Sequence, residues 1–223
     1  MKRTLIIFAK EPTKDTVKTR LANCLSQAQR VDLCKAFLRD AIDLVKSVEC
    51  EERILAYAFE KRPTFIKKSV SKEFRLYKQK DGDLGDRMVD VFNFAKEEGA
   101  DKIVIIGSDT PTLANEFVAA AFNRLDDSDI VLGPTEDGGY YLIGLNTPSP
   151  GLFKGVEWST GSVLGQTIDN ANALKKKVAI LDMWYDVDDE EDLACMIRYL
   201  GKDTSGACAK WTRRAIKRIY LDK

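Results

Sequence analysis

The chain is expected to form one α/β domain, residues 1–223, with a mainly parallel mixed sheet between two layers of helices. Three observations lead there. Short apolar runs rich in β-formers alternate with stretches of helical periodicity through the first half of the sequence, the pattern of β-α-β units. The gap between the fifth and sixth apolar runs is too short for a crossover helix, so one strand must run antiparallel to its neighbours. A length of 223 residues suits a single growing core.

The elements follow in order. Thr4–Ala9 is a buried strand, being short, apolar and β-rich. After the polar loop Lys10–Thr16 comes a helix that places Leu33, Phe37, Ala41 and Leu44 on one face. Arg53–Phe59 is a second strand, Phe65–Val70 a short helix and Arg75–Gln79 a third strand. Asp81-Gly82-Asp83 turns the chain into a helix carrying Met88, Val91, Phe92 and Ala95, with Gly99 at its end. Lys102–Gly107 is the fourth strand and Asn115–Arg124 the helix after it. Ile130–Leu132 and Tyr140–Leu145 are strands around the bend Gly133–Gly139, and Pro148–Gly151 is a loop. Ser162–Ala173 is a helix and Lys177–Leu181 a last strand. An acidic loop, Asp182–Asp192, leads to helices near Leu193–Leu200 and Ala207–Leu221. The last of these is amphipathic and is expected to fold back on its own core, with monomer or homodimer both open.

Composition narrows the chemistry. Lys+Arg 35 balances Asp+Glu 35, so no global field draws in nucleic acid or an anionic membrane. No apolar stretch approaches the roughly 18 residues of a membrane span. Five cysteines without a CxxC pair read as free thiols of a cytoplasmic protein. The chain contains no histidine, which removes Ser-His-Asp and Cys-His mechanisms. Reaction chemistry near neutral pH falls to carboxylates, Lys, Tyr, Cys or a bound metal.

The most informative segment is Val104-Ile-Ile-Gly-Ser-Asp-Thr-Pro-Thr-Leu113, an apolar run that ends in Asp109 and a proline. An acid at the carboxyl end of a central strand sits where open α/β sheets bind ligands. It suits a hard divalent cation, Mg or Mn, shared with phosphate; a plain Asp-Thr-Pro turn is the competing reading. The loop after the first strand offers Lys10, Lys14, Lys18 and Arg20 beside a helix start, a set that can hold phosphate oxygens or simply face water. In Gln79–Met88, Gly82 lets the backbone pass close to a ligand, while Asp83 and Asp86 suit a capped helix start; Arg87 follows. In Gly133–Leu145, Asp137 is a candidate general base or hydroxyl contact, Gly138 and Gly139 leave room for substrate, and Tyr140 opens the next strand. A hairpin turn explains those two glycines as well. Trp158 is either an acceptor platform or a core residue. Asp186 and Asp188 share one side of an extended segment, and either can be a second metal ligand opposite Asp109.

Together these segments resemble a bacterial and archaeal family of GT-A, or nucleotide-diphospho-sugar transferase, fold, labelled glycosyltransferase-like or of unknown function. The family is more distantly similar to 2-phospholactate and molybdenum-cofactor guanylyltransferases. The resemblance rests on Phe8-Ala-Lys-x-Pro12 with Val17-Lys-Thr-Arg-Leu21, Gly82-Asp-Leu-Gly-x-Arg-Met88, Gly107-x-Asp-x-Pro-x-Leu113, Gly133–Leu145, Trp158-Ser-Thr160 and Asp186-Val-Asp188. It implies a nucleotide half built from the first strands and an acceptor half toward the C-terminus. It implies Asp109 and Asp188 as metal ligands and Lys18 and Arg20 as phosphate contacts, with Lys10, Gly82, Asp83 and Arg87 on the nucleotide side. Asp137, Gly138, Gly139, Tyr140 and Trp158 fall on the acceptor side. One departure stands out: the family places Pro-Gly before the Val-Lys-Thr-Arg run, and this chain has Lys14-Asp15.

The function so indicated is a divalent-metal-dependent transferase with a nucleotide-sugar or nucleoside triphosphate donor and a small-molecule acceptor. The alternatives are a nucleotidyltransferase releasing pyrophosphate and a non-catalytic nucleotide-binding protein. The dense basic loop favours the nucleotidyl version, whose departing pyrophosphate needs more charge neutralised, whereas the family label favours glycosyl transfer, and both stay open.

Overall fold

A computed structural model describes residues 1–13, 17–58, 64–203, 206 and 208–220. Lys14-Asp15, Phe59, Ala207 and Leu221, which entered the sequence reading, lie outside these residues.

Among the described residues, seven strands form one sheet in the order β3-β2-β1-β4-β6-β5-β7. β1 (Arg3–Lys10), β2 (Glu52–Ala58), β3 (Phe74–Lys78) and β4 (Lys102–Gly107) are mutually parallel. β6 (Tyr140–Leu145) runs antiparallel to both β4 and β5 (Ile130–Pro134), and β7 (Val178–Ile180) pairs parallel with β5. The reversed strand is thus β6, the one reached through a bend too short for a helix. That bend begins later than expected, because Gly133 and Pro134 still belong to β5, where the register shifts.

The central strands carry unbroken apolar runs, Leu5–Ala9 in β1 and Ile103–Ile106 in β4, because both faces are covered. Leu5, Ile7, Val104 and Ile106 point to one core with Leu38, Ile42 and Val45 of α1 (Gln27–Ser47) and Val118 and Phe122 of α4 (Asn115–Arg124). Ile66 of α2 (Thr64–Ser69) joins them. Ile6, Ile54, Ile103 and Ile105 point to the other, with Met88, Val91 and Phe92 of α3 (Leu84–Glu97) and Ala171 of α5 (Val163–Ala173). The segment expected as a loop at Pro148–Gly151 contains a 3-10 turn, Pro150–Phe153, that packs Leu152 and Phe153 into this second core.

A third core was not visible in the periodicity. α1 buries a second face, Leu33, Ala36 and Phe37, against α6 (Glu190–Lys202) and α7 (Lys210–Tyr220). α7 therefore folds back as expected, but onto α1 rather than the sheet. α6 begins inside the supposed acidic loop, because Asp189 and Asp192 form a reciprocal capping box that starts the helix. The basic loop after β1 likewise leads into a 3-10 turn, Thr19–Asn23, and α1 starts only at Gln27, set by the Ser26–Gln29 capping box. No helix among the described residues is long and apolar enough to cross a membrane.

Asp40 of α1 fastens α7. Its buried carboxylate accepts hydrogen bonds from the Trp211 and Thr212 N–H groups, both at 2.8 Å, and from Thr212 Oγ1 at 2.6 Å. Those N–H groups belong to the first turn of α7 and have no partner within the helix. Asp40→Ala is expected to lower unfolding stability by about 2 kcal/mol in urea titrations, since it strands these donors. Burial pushes the Asp40 carboxyl up to about 6, against the pull of the Thr212 and Trp211 hydrogen bonds. A raised folded-state value means that this group's contribution is complete below an ordinary carboxylate value of about 4 and is lost as pH rises through about 6. The stability of the wild type relative to Asp40→Asn should therefore decline between these pH values and level off above them.

Candidate active site

Asp109 lies just past the carboxyl end of β4, in the first residues the strand can no longer hold. Its backbone carbonyl accepts the Val187 N–H at 3.0 Å. That bond draws the segment after β7 across the sheet end and sets Asp188 beside Asp109. Asp188 is fixed from its other side, where its N–H donates to Asp192 Oδ2 at 2.9 Å within the α6 cap. Two acids far apart in sequence thereby face one point.

Lys18 occupies that point. Its Nζ lies 2.6 Å from Asp188 Oδ1 and 3.1 Å from Asp109 Oδ2. The lysine side chain is 6% exposed, whereas the two acids are 48% and 40% exposed. Burial acts to lower the Lys18 pKa, but Asp109 and Asp188 more than reverse it, so the ammonium is held charged. The residue before the 3-10 turn has a left-handed backbone, φ 44 and ψ 54, that aims the side chain inward. Its carbonyl is tied down by Leu21 N–H at 3.0 Å and Arg30 Nη1 at 3.4 Å. Lys18, expected to contact phosphate, pairs here with the two carboxylates.

Asp186 lies behind this pair. Burial first, then the charges of Asp188 and Asp137, push its carboxyl up to about 6. Cys34 is also adjacent, and burial followed by Asp109 pushes its thiol up to about 12. That value leaves it an inert thiol at neutral pH.

The acids open on a cleft of about 850 Å3 at the carboxyl ends of β1 and β4. Lys10, Arg20, Asp83, Arg87, Tyr140 and Trp158 all line it, which joins the expected nucleotide and acceptor sets in one space. Asp83 also N-caps α3, accepting the Asp86 N–H at 2.8 Å. Gln79, Cys34, Ser108 and Ser159 line the cleft too and were not anticipated. Gln79 is anchored by Nε2 donating to the Ala56 carbonyl at 2.8 Å and receives Arg87 Nη1 at 3.4 Å. An amide at the end of an edge strand has no local pattern to reveal it.

Four expected site residues are placed otherwise. Gly82 holds a turn at φ 128, with Asp86 where a side chain would go. Gly138, at φ 84, does not leave room for substrate: a Cβ there would stand 2.1 Å from the Gly161 carbonyl oxygen. The space is filled by the backbone after Trp158, further fixed by Leu164 N–H to the Gly138 carbonyl at 2.8 Å. Gly139 is hemmed in by Thr135 and Asp137. One oxygen of Asp137 is committed to the same turn, accepting Thr135 Oγ1 at 2.6 Å and Gly139 N–H at 3.0 Å. The bend is a structural joint. Tyr140 and Trp158 have mixed roles. Trp158 packs on Phe153 and on the bare Cα of Gly85. Its indole N–H and the Tyr140 hydroxyl are buried without a well-formed hydrogen bond.

Comparison with known proteins fits this architecture. The structure superposes on a protein of Desulfovibrio desulfuricans G20, provisionally named a nucleotide-diphospho-sugar transferase, with TM-score 0.89 and 27% identity over 98% of this chain and 97% of that one. The fold is thus that of the nucleotide-diphospho-sugar transferases. The chain belongs to the family of uncharacterized proteins conserved in bacteria, DUF2064, whose model matches residues 32–160. It is also similar to two proteins named 2-phospho-L-lactate guanylyltransferase. The one from Methanobrevibacter ruminantium is 26% identical over 130 residues, 55% of each chain. The one from Methanothermobacter thermautotrophicus is 26% identical over 190 residues, 81% of this chain and 78% of that one. The alignment thus spans about half the length of the first of these relatives.

The joint at Gly138 predicts a pair of outcomes. Gly138→Ala should lower the melting temperature by several degrees or more, through the clash with Gly161 added to the left-handed strain. Gly155→Ala, at φ 70 with nothing within 4 Å, should cost only the strain, about 1–2 kcal/mol. Differential scanning calorimetry of the two variants makes the comparison.

Proposed function

We propose that the chain is a divalent-metal-dependent transferase that takes a nucleoside triphosphate donor and moves its nucleotidyl group to a phosphorylated small molecule, releasing pyrophosphate. The observation that carries this reading is the convergence of Asp109 and Asp188 on one cation position at the mouth of a cleft that also holds Lys10, Arg20 and Arg87. The likeness to the two guanylyltransferases supports nucleotidyl transfer and makes guanosine the first base to test.

The donor set fits a hard cation. Asp109 and Asp188 offer half-exposed carboxylate oxygens, and no group of three or more acidic or cysteine side chains is placed to hold a metal ion among the described residues. Two protein oxygens with the remainder from phosphate and water is how Mg is commonly held at phosphoryl sites. A Mg or Mn ion on these acids would neutralise charge on the donor phosphates. Lys10 and Arg20, exposed on the cleft wall, suit the outer phosphate oxygens, Arg by a planar fork and Lys as a point charge. Their charges are set to oppose the negative charge that grows on departing pyrophosphate. Asp83 and Arg87, one helical turn apart at the start of α3, present an acceptor and a donor toward the same space. Trp158 and Tyr140 border the acceptor side.

Glycosyl transfer is the second reading, favoured by the provisional name of the Desulfovibrio protein. A panel of nucleoside triphosphates with phosphorylated hydroxyacids, read by coupled pyrophosphate detection, separates the two from a panel of nucleotide-sugars read by nucleoside diphosphate release. Metal-dependent pyrophosphate release is expected, and Asp109→Asn should reduce it by about 100-fold or more in protein that circular dichroism shows to be folded. Nucleotide binding with neither release would identify a binding protein instead.

A further inference from the structure

Lys18 poses a question that the proposed metal site does not answer. The ammonium already stands between Asp109 and Asp188, at 3.1 and 2.6 Å, where a bridging cation would be placed. Like charges cannot share so small a space. The acids meanwhile are half-exposed to the cleft, while the lysine, which also lines it, is nearly buried. A cation arriving from solvent thus meets carboxylates whose charge is already partly cancelled from within.

The lysine is also built to move without its loop. Its carbonyl is fastened by Leu21 N–H and Arg30 Nη1, so the main chain is held independently of the side chain's partners. Four flexible methylenes separate that anchor from the charge. Val17, Arg20 and Lys10 line the same cleft on either side of it. A polyphosphate lying against those residues would be within reach of the ammonium, which has three donors and no other use once it leaves the carboxylates.

Resting on the metal-dependent reading above, we propose that Lys18 is a resident cation that holds the Asp109–Asp188 pair assembled and excludes divalent metal until a polyphosphate draws it away. Metal and donor then load together. Lys18 is a positioning residue in this scheme, exchanging one pair of anionic partners for another, and the carboxylates are never left bare. The exchange makes the affinities of metal and polyphosphate mutually dependent, and the dependence is reciprocal.

The test is Mn binding, measured by the electron paramagnetic resonance signal of free Mn and by calorimetry, with and without tripolyphosphate. That probe carries the donor's charges without a base, and its own complex with Mn is titrated separately and subtracted. The wild type should bind Mn weakly alone and about tenfold or more tightly with tripolyphosphate, in the range of ordinary allosteric coupling. Lys18→Met should bind Mn alone about tenfold more tightly than the wild type and lose most of the coupling. Lys18→Gln, which keeps hydrogen bonding but not charge, should behave likewise and serves if the methionine variant is unstable. Lys18→Arg should stay as weak as the wild type without tripolyphosphate. Equal or weaker Mn affinity in both uncharged variants overturns the role given to Lys18. Asp109→Asn separates the two levels: if it leaves Mn binding with tripolyphosphate unchanged, the metal site itself is wrong, whereas loss of binding there with unaltered Lys18 variants refutes the lysine alone.

Discussion

The charge shared by Lys18, Asp109 and Asp188 is the contact on which the cleft depends. It joins the end of β1, the end of β4 and the segment after β7, three places that the chain visits at its beginning, middle and end. Taking an ammonium out of water is costly, and a carboxylate on one side alone leaves it poorly compensated. With two acids close by, the ion stays charged under near-complete burial. The arrangement works because the acids themselves keep contact with solvent, so only one of three charges is fully desolvated.

Backbone geometry sets this contact before any side chain is considered. The bond from Val187 N–H to the Asp109 carbonyl carries the last segment across the sheet end, and the α6 cap holds Asp188 from behind. α6 in turn lies on the second face of α1, with α7 beside it. The outer helices thus form a buttress for the loop that carries Asp188, and Asp40 pins that buttress by capping α7. Stability at a distance from the cleft and geometry within it are coupled through α1.

Much of the fold was legible in the residues. Apolar runs without alternation revealed strands buried on both sides, and the short spacing before Tyr140 revealed the reversal of β6, because a crossover needs a length that was absent. The position of Asp109 just past β4 was legible for a similar reason, since an apolar run that stops at an acid and a proline marks the end of a strand. Helix starts were read less well. The Asp189–Asp192 box was lost in a run of acids, since a run of like residues hides which one caps. The inward role of Gly138 was hidden because a glycine needed for close backbone approach and one that leaves space for a ligand look alike in one dimension.

What the sequence determined by itself was the layer plan and the residue types available for chemistry. Periodicity and composition depend on neighbours a few positions away, and in a chain without histidine they leave only acids and bases to work with. Only the tertiary structure decided which acids meet and what stands between them. Lys18 reads identically as a solvated cation, a phosphate contact or a buried counter-charge until residues more than 90 and 160 positions away are brought beside it. Charge is the least local of the interactions that hold a fold together, and its meaning is set by the dielectric and the partners that folding supplies.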